Sequence, residues 1–339
     1  MRTYILTRIL WAIPTLAVIT FLCYALMWYA PGDPARASYL ARGGETAGTM
    51  AEDEGLSDAG KLFRKRFHLD EPLHRGYALW LWRILSEGDF GVSVTVSLGT
   101  PVWQLVAQRV PVTLKLNLWA TAVVFLIAVP VGIYSAVRRG SLLDRATTLL
   151  FFLLYSLPSF WVGLMLLMAA SKFAPGWPTS GLSPPISGGA SYWALLLETA
   201  KHYVLPVFCL SYAGLAALSR YARVGLLEVV RQDYIRTARA KGCSEPRVIL
   251  KHALRNGLIP IIVILAGILP GLIGGSVIVE YLFDIQGMGA LSLGALSSRD
   301  YPVIMTLFGF SAVLTLLGIL ASDVALALVD PRINYEQKR

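Results

Sequence analysis

Apolar residues in this chain fall in long uninterrupted runs rather than at the three-to-four spacing of a soluble amphipathic helix. Six stretches carry no charge: Ile9 to Tyr29, Leu116 to Val137, Ala146 to Ser171, Tyr203 to Ser219, Asn256 to Val279 and Tyr301 to Ser322. Each lies near the roughly 17–25 residues a helix needs to cross the hydrocarbon core, the fourth being the shortest. The pattern predicts an all-α integral membrane protein with six transmembrane helices. Pro130, Pro158 and Pro270 lie inside the second, third and fifth runs and are expected to bend them, because proline removes an intrahelical hydrogen bond.

The polar intervals divide the chain into 1–29 (N-terminus and first span), 30–111 (an outer loop domain) and 112–339 (a core with the remaining spans). Trp28-Tyr29 ends the first span at interface level, and Pro31-Gly-Asp-Pro34 turns the chain away. The outer loop opens with a Gly-rich acidic stretch, Gly43 to Gly60, that has little to bury. Leu62, Phe63, Phe67 and Leu69, then Tyr77 to Leu85, supply enough apolar surface for short packed helices. Pro101 to Lys115 reads as an amphipathic helix on the outer surface that feeds the second span at Pro111. Tyr192 to Leu197 reads as an interfacial helix, too short to cross.

Composition agrees. With 55% hydrophobic and 15% charged residues, the chain has too few polar groups to cover a soluble globule of 339 residues. Charge sets orientation. Basic residues gather at the N-terminus (Arg2, Arg8), after the second run (Arg138, Arg139, Arg145), in the central loop and at the C-terminus (Arg332, Lys338, Arg339). The short loops of opposite parity hold Lys172, Lys201 and Arg299. By the positive-inside rule both termini and the central loop face the cytoplasm. The formal charge of +9 is thereby used for topology, with no call for nucleic acid. The first run exceeds a signal-peptide core of about 7–15 residues and reads as a retained anchor. Cys23, Cys209 and Cys243 suggest neither a disulfide framework nor a metal cluster.

No catalytic constellation emerges. His68, His74, His202 and His252 lack metal-ligand spacing, and Gly55 to Lys61 mimics a phosphate-binding loop but has Leu62 where Ser or Thr would hold magnesium. Lys115, Glu280 and Asp323 are expected near span ends, where long side chains reach the interface. A mid-span acid, usual in proton-coupled carriers, is missing.

Arg220 to Arg255 is the long polar segment between two apolar runs, with nine Lys or Arg against three acids. Glu228 to Lys241 is rich in helix formers, and Gly242 stands where a left-handed cap would end a helix. Ser244 is a plausible N-cap with Pro246 in the first turn, and a second helix runs to Asn256-Gly257. In the fifth run, Gly267, Gly271, Gly274 and Gly275 place small residues on a face that can approach another helix closely.

Tyr234-Ile-Arg-Thr-Ala-Arg-Ala-Lys-Gly242, followed by Arg247 to Pro260, resembles the cytoplasmic loop of permease subunits in the dipeptide/oligopeptide group of binding-protein-dependent ABC importers. Arg236, Thr237 and Ala238 stand where the wider superfamily has Glu-Ala-Ala, and Gly242 matches its Gly. Pro31 to Pro34, the segment Gly267 to Gly289, Arg299-Asp-Tyr-Pro-Val303 and Asp330-Pro-Arg-Ile333 extend the resemblance over essentially the whole chain. It implies a type I ABC importer permease fold with both termini inside, in the cell (inner or plasma) membrane. It also implies a non-catalytic subunit forming half of a peptide pathway, in contact with membrane lipid. Its partners would be a second homologous permease, two cytoplasmic ATPase domains that carry ATP and magnesium, and an extracytoplasmic substrate-binding protein; the chain itself would bind no cofactor. Contact with the ATPase falls to Asp233, Tyr234, Ile235, Arg236, Thr237, Ala238, Arg239, Ala240, Lys241 and Gly242, within the loop 220–257. The pathway or permease interface falls to Gly267, Pro270, Gly271, Gly274, Gly275, Ser276 and Glu280. The same resemblance extends to importers of nickel, glutathione, oligosaccharides and peptide antibiotics. An ATPase-independent channel or carrier is the reading from another class.

Overall fold

The computed structural model describes residues 2–29, 64–184, 191–257, 261, 264–265 and 267–329. The Pro31–Pro34 turn, the Gly43 to Gly60 stretch and the Asp330 to Ile333 motif lie outside the described residues. In chain order the helices are α1 (Arg2–Tyr29), α2 (Leu73–Glu87), α3 (Val102–Val137), α4 (Leu142–Ser156), α5 (Ser159–Phe173) and α6 (Tyr192–Val230). They continue as α7 (Asp233–Ala240), a helical segment over 245–257, α8 (Leu269–Gly274), α9 (Val277–Leu282), α10 (Met288–Ser298) and α11 (Tyr301–Val329). Among the described residues the only extended pairing is an isolated bridge between Val92 and Pro101.

Among the described residues, four helices, α1, α3, α6 and α11, are long and apolar enough to cross a membrane, and α4 with α5 makes a further span if the bent pair is counted as one. The chain is a multi-pass membrane protein. On α1 the side chains of Leu6, Leu10, Trp11, Ile13, Leu22 and Leu26 are exposed, as expected of a helix whose solvent is lipid. The predicted fifth span falls partly on residues outside the described ones.

Several expectations are corrected. Residues 102–115 do not form a separate surface helix; they are the first turns of α3, which runs through Pro111 and Pro130 without interruption. Residues 192–197 likewise open the 39-residue α6 rather than a detached interfacial helix, and α6 continues past Ser219 to Val230. Ser191 starts it, its hydroxyl accepting the Ala194 N–H. The third run breaks outright, α4 and α5 meeting at 100°. Pro158 directly precedes α5, where its missing N–H costs nothing. Pro270, in the first turn of α8, is not an internal kink either.

Two compact units emerge, one from 112–286 with 317–339, the other from 2–111 with 287–316. In the first, Gly132 of α3 lets two backbones approach: a Cβ there would lie 2.5 Å from the Ser219 carbonyl oxygen and 2.6 Å from the Ala222 Cβ. The α4–α5 break leaves the Leu157 carbonyl without a helical donor, and the Tyr212 hydroxyl of α6 donates to it at 2.7 Å. Leu116, Ala120, Val207, Val279, Phe283 and Ile285 form a cluster beside it.

The second unit joins the first helix to residues 287–316. Tyr24 and Met27 of α1 pack with Phe67, Leu69, Trp80 of α2 and Met305 of α11. The Tyr24 hydroxyl donates to the Phe67 carbonyl at 2.7 Å. Asp300, fully buried in the turn between α10 and α11, holds the loop at 93–97. Its Oδ2 accepts the Ser93 hydroxyl at 2.5 Å and the N–H groups of Val94, Thr95 and Val96 at 3.0–3.1 Å. A carboxylate in such a nest of backbone donors is worth far more than a neutral acceptor. Asp300→Ala orphans four donors at once and is expected to cost about 3 kcal/mol or more. Thermal unfolding in detergent, together with proteolysis at 93–100, checks it; a wild-type melting profile would show the nest to be dispensable.

Candidate functional site

The polar loop resolves into a short exposed helix bolted to a longer one. The sequence predicts one helix from Glu228 to Lys241, but the structure divides it: α6 stops at Val230, Gln232 is extended at φ −72° and ψ 151°, and α7 starts afresh at Asp233. Asp233 in the first turn and Arg239 in the last suit the helix dipole. Ile235 and Ala238, three apart, are the two buried residues of α7. They pack in one cluster with Leu226 of α6, Ala136 of α3, and Val248 and Ala253 of the segment that follows.

The remaining predicted residues of α7 face outward. Asp233, Tyr234, Arg236, Thr237, Arg239, Ala240 and Lys241 are all exposed. The end of α7 is a Schellman stop, as read from the sequence: Gly242 takes φ +75°, its N–H reaches the Arg239 carbonyl at 2.9 Å, and the Cys243 N–H reaches that of Ala238 at 3.3 Å. Arg239 then clamps across the turn onto Glu245, Nε to Oε1 at 3.0 Å and Nη2 to Oε1 at 2.7 Å. That hydrogen bond pushes the Arg239 pKa above its ordinary value. Asn256 donates to the Tyr234 hydroxyl at 2.8 Å, tying the far end of the segment to α7. The result is a rigid ledge with three polar fastenings and an apolar keel.

Ser244 and Pro246 start the next helical segment where expected, but residues 248–253 wind as π-helix. The wider turn matters for packing. Val248 and Ala253 are five apart and both fully buried, an arrangement that the i→i+5 geometry favours.

The glycine-rich run is also interrupted. α8 ends at Gly274, Gly275 adopts φ +79° and ψ 164°, Ser276 is extended, and α9 begins at Val277, so the expected uninterrupted helix to Val279 does not form. Gly275 takes a backbone conformation that side-chain-bearing residues rarely adopt. The carbonyls stranded by this break find Asn117 of α3, whose amide donates to Leu272 at 3.0 Å and to Gly271 at 3.3 Å. A Cβ on Gly271 or Gly274 would meet no described atom within 4 Å, whereas one on Gly267 would reach the Ser322 hydroxyl at 4.0 Å. The side chain of Pro270 lies outside the described residues. Glu280 is no snorkelling end-of-span acid: it is 0% exposed, and the Thr113 hydroxyl donates to its Oε1 at 2.9 Å. The break at Gly275 lets α9 turn this carboxylate inward.

Sequence reasoning missed Asn117 and Tyr212. Each is a polar side chain within an otherwise apolar run, and that isolation was the available signal.

A family model described as the binding-protein-dependent transport system inner membrane component matches residues 128–335, which include α6, α7 and the broken run. The chain belongs to this family. It is 40% identical over 336 residues to the oligopeptide transport system permease protein AppB of Bacillus subtilis (strain 168), covering 99% of this chain and 100% of that protein. To the dipeptide transport system permease protein DppB of Escherichia coli (strain K12) it is 32% identical over 354 residues, again covering 99% and 100%. To the di/tripeptide transport system permease protein DppB of Pseudomonas aeruginosa (strain UCBPP-PA14) it is 34% identical over 351 residues, with the same coverage. Among solved structures, an inward-facing conformation of the MetNI methionine ABC transporter superposes with a TM-score of 0.50 at 18% identity, over 67% of this chain and 97% of that one. The fold is that of a type I ABC importer permease.

Substitution at Gly242 tests whether transport depends on the α7 ledge. Proline cannot take the left-handed conformation and costs about 3 kcal/mol or more where it is incompatible, so Gly242→Pro is expected to abolish uptake while the chain stays at its normal level in the membrane. Solute uptake set against an immunoblot of the membrane fraction measures both; wild-type uptake would dissociate the Gly242 stop from transport.

Proposed function

We propose that the chain is the transmembrane permease subunit of an ABC importer for di- or oligopeptides, forming half of the translocation pathway. The observation that carries this is the exposed, capped α7 held on α6 by Ile235 and Ala238, in a chain whose full-length relatives bear the names of peptide permeases. Both termini and the 231–257 ledge face the cytoplasm, on the charge distribution. There α7 docks on an ATPase, with Asp233 to Gly242 supplying the contact. Closure of two ATPase domains on ATP and magnesium is then delivered to α6 as a rigid-body displacement, since α6 and α7 share one apolar cluster. The chain hydrolyses no ATP itself.

The second permease is homologous and meets this chain, or shares the pathway with it, along Gly267, Gly271 and Gly274 beside the break at Gly275. A substrate-binding protein on the far side of the inner membrane presents the solute to the segment between α1 and α3. Peptides are the substrate class.

A tagged chain extracted from its native membrane in mild detergent tests the assembly. Recovery of a second multi-pass permease with ATPase subunits, identified by mass spectrometry, is the expected outcome; recovery of the chain alone, where a control complex survives, would overturn it. Leucine on the glycine face adds a branched side chain where small residues permit close approach. Gly274→Leu is therefore expected to block peptide uptake or association with the second permease, read by uptake and co-purification. Normal values for both would place this face elsewhere.

A further inference from the structure

Beyond the ledge, an ion pair ties α6 to the head of α4. Asp144 is 3% exposed, and its Oδ2 accepts Nη2 of Arg223 at 3.0 Å and the N–H of Gly140 at 2.9 Å. Asp144 is at the same time the third residue of α4, where its own N–H reaches the Ser141 hydroxyl at 3.2 Å. The spacing Ser141-Leu-Leu-Asp144 is that of a capping box, but the carboxylate reaches past the cap residue to Gly140 and sideways to the guanidinium. Arg223 follows the turn where Ser219 and Ala222 press on Gly132, and it precedes Leu226, the residue of α6 that shares a cluster with Ile235 of α7. A displacement of α7 therefore meets Arg223 within about one turn of α6.

The pair is also incompletely used. Asp144 Oδ1 and Arg223 Nε are both buried, and neither has a hydrogen-bond partner among the described residues. An Arg and a carboxylate joined through a single N–H···O contact, with a second donor and a second acceptor desolvated beside it, have a better arrangement available: the side-on fork with Nε on Oδ1 and Nη2 on Oδ2. The missing contact is costly, because a buried polar group without a partner bears its full desolvation penalty.

We propose that Asp144 and Arg223 are a positioning pair that carries the displacement of α7 and α6 to the bent α4–α5 segment, closing from the single contact seen here to the two-bond fork in the other state of the transport cycle. This rests on the permease reading above. In this role neither side chain needs to contact solute or nucleotide. Their part is to make the head of α4 follow α6, so that movement at the ledge reaches the 100° break and the Tyr212 bond that supports it. Apolar packing alone would let α4 slip along α6, whereas a forked ion pair fixes register.

The test uses the complete complex, this chain with its co-purified permease, ATPases and binding protein as isolated from cells, in nanodiscs. The ATPase rate is measured with and without that binding protein. Asp144→Asn and Arg223→Gln are each expected to reduce the stimulation by about 5- to 150-fold, the range of typical coupling between sites, and the double variant to be no worse than either single one. Arg223→Lys, which keeps the charge but cannot form the fork, should fall with Arg223→Gln rather than with the wild type.

Wild-type stimulation per assembled complex in either single variant would overturn the proposal, as would additive losses in the double. Reduced recovery of complex with unaltered stimulation per complex would also overturn it, leaving the pair a static tie. Assembly of the wild-type chain with ATPases, established first by co-purification, is the separate check on the permease reading.

Discussion

In a membrane the backbone has no water to fall back on, so every interruption of a helix must be met by a donor or acceptor from the protein itself. This constraint organises the described structure more than hydropathy does. The chain breaks its helices at Leu157-Pro158, in the exposed ledge at Gln232 and at Gly242, and at Gly275. At the first, the Tyr212 hydroxyl takes up the stranded carbonyl; at the last, the Asn117 amide takes up two. At Gly242 the turn satisfies its own backbone through the paired 5→2 and 6→1 bonds. Breaks so supported persist as defined angles rather than as flexible joints.

Those angles position the exposed ledge and the buried carboxylate. The extended Gln232 lets α7 leave the axis of α6, and the buried pair Ile235 and Ala238 then fixes how it lies. The π-wound stretch that follows brings Val248 and Ala253 under the same helix, so the ledge is held from both sides by one apolar cluster. At the other break, Gly275 releases α9 from the line of α8, and Glu280 turns inward to Thr113. A polar group in each case reports where the chain departs from a simple span.

Local order was the part most legible in the sequence. Gly242 as a left-handed stop and Ser244 with Pro246 as the next start follow from the chemistry of a few adjacent residues, and the structure shows both. Runs without charge proved a poorer guide to helix length. Lys201 and His202 flank a run without ending the α6 backbone, and α3 continues as one helix through Arg109 and Pro111. What could not be read at all is what pairs at a distance. Asp144 and Arg223 stand 79 positions apart, and Asp300 stands 207 from Ser93, so no periodicity links them. Asn117 and Tyr212 belong with these, since their partners exist only once the breaks have formed.

The nest around Asp300 bears on the order in which the protein is made. A ribosome delivers the chain from its N-terminus, and segments generally settle as they emerge. The loop at 93–97 has its anchor in a turn that appears only near the end of synthesis, and Tyr24 and Trp80 likewise wait for Met305 to complete their cluster. The unit that holds the first helix is therefore unfinished until near the end of synthesis. Until then its early residues are inserted but unfastened, a long interval during which a membrane protease or a chaperone has its best access to them.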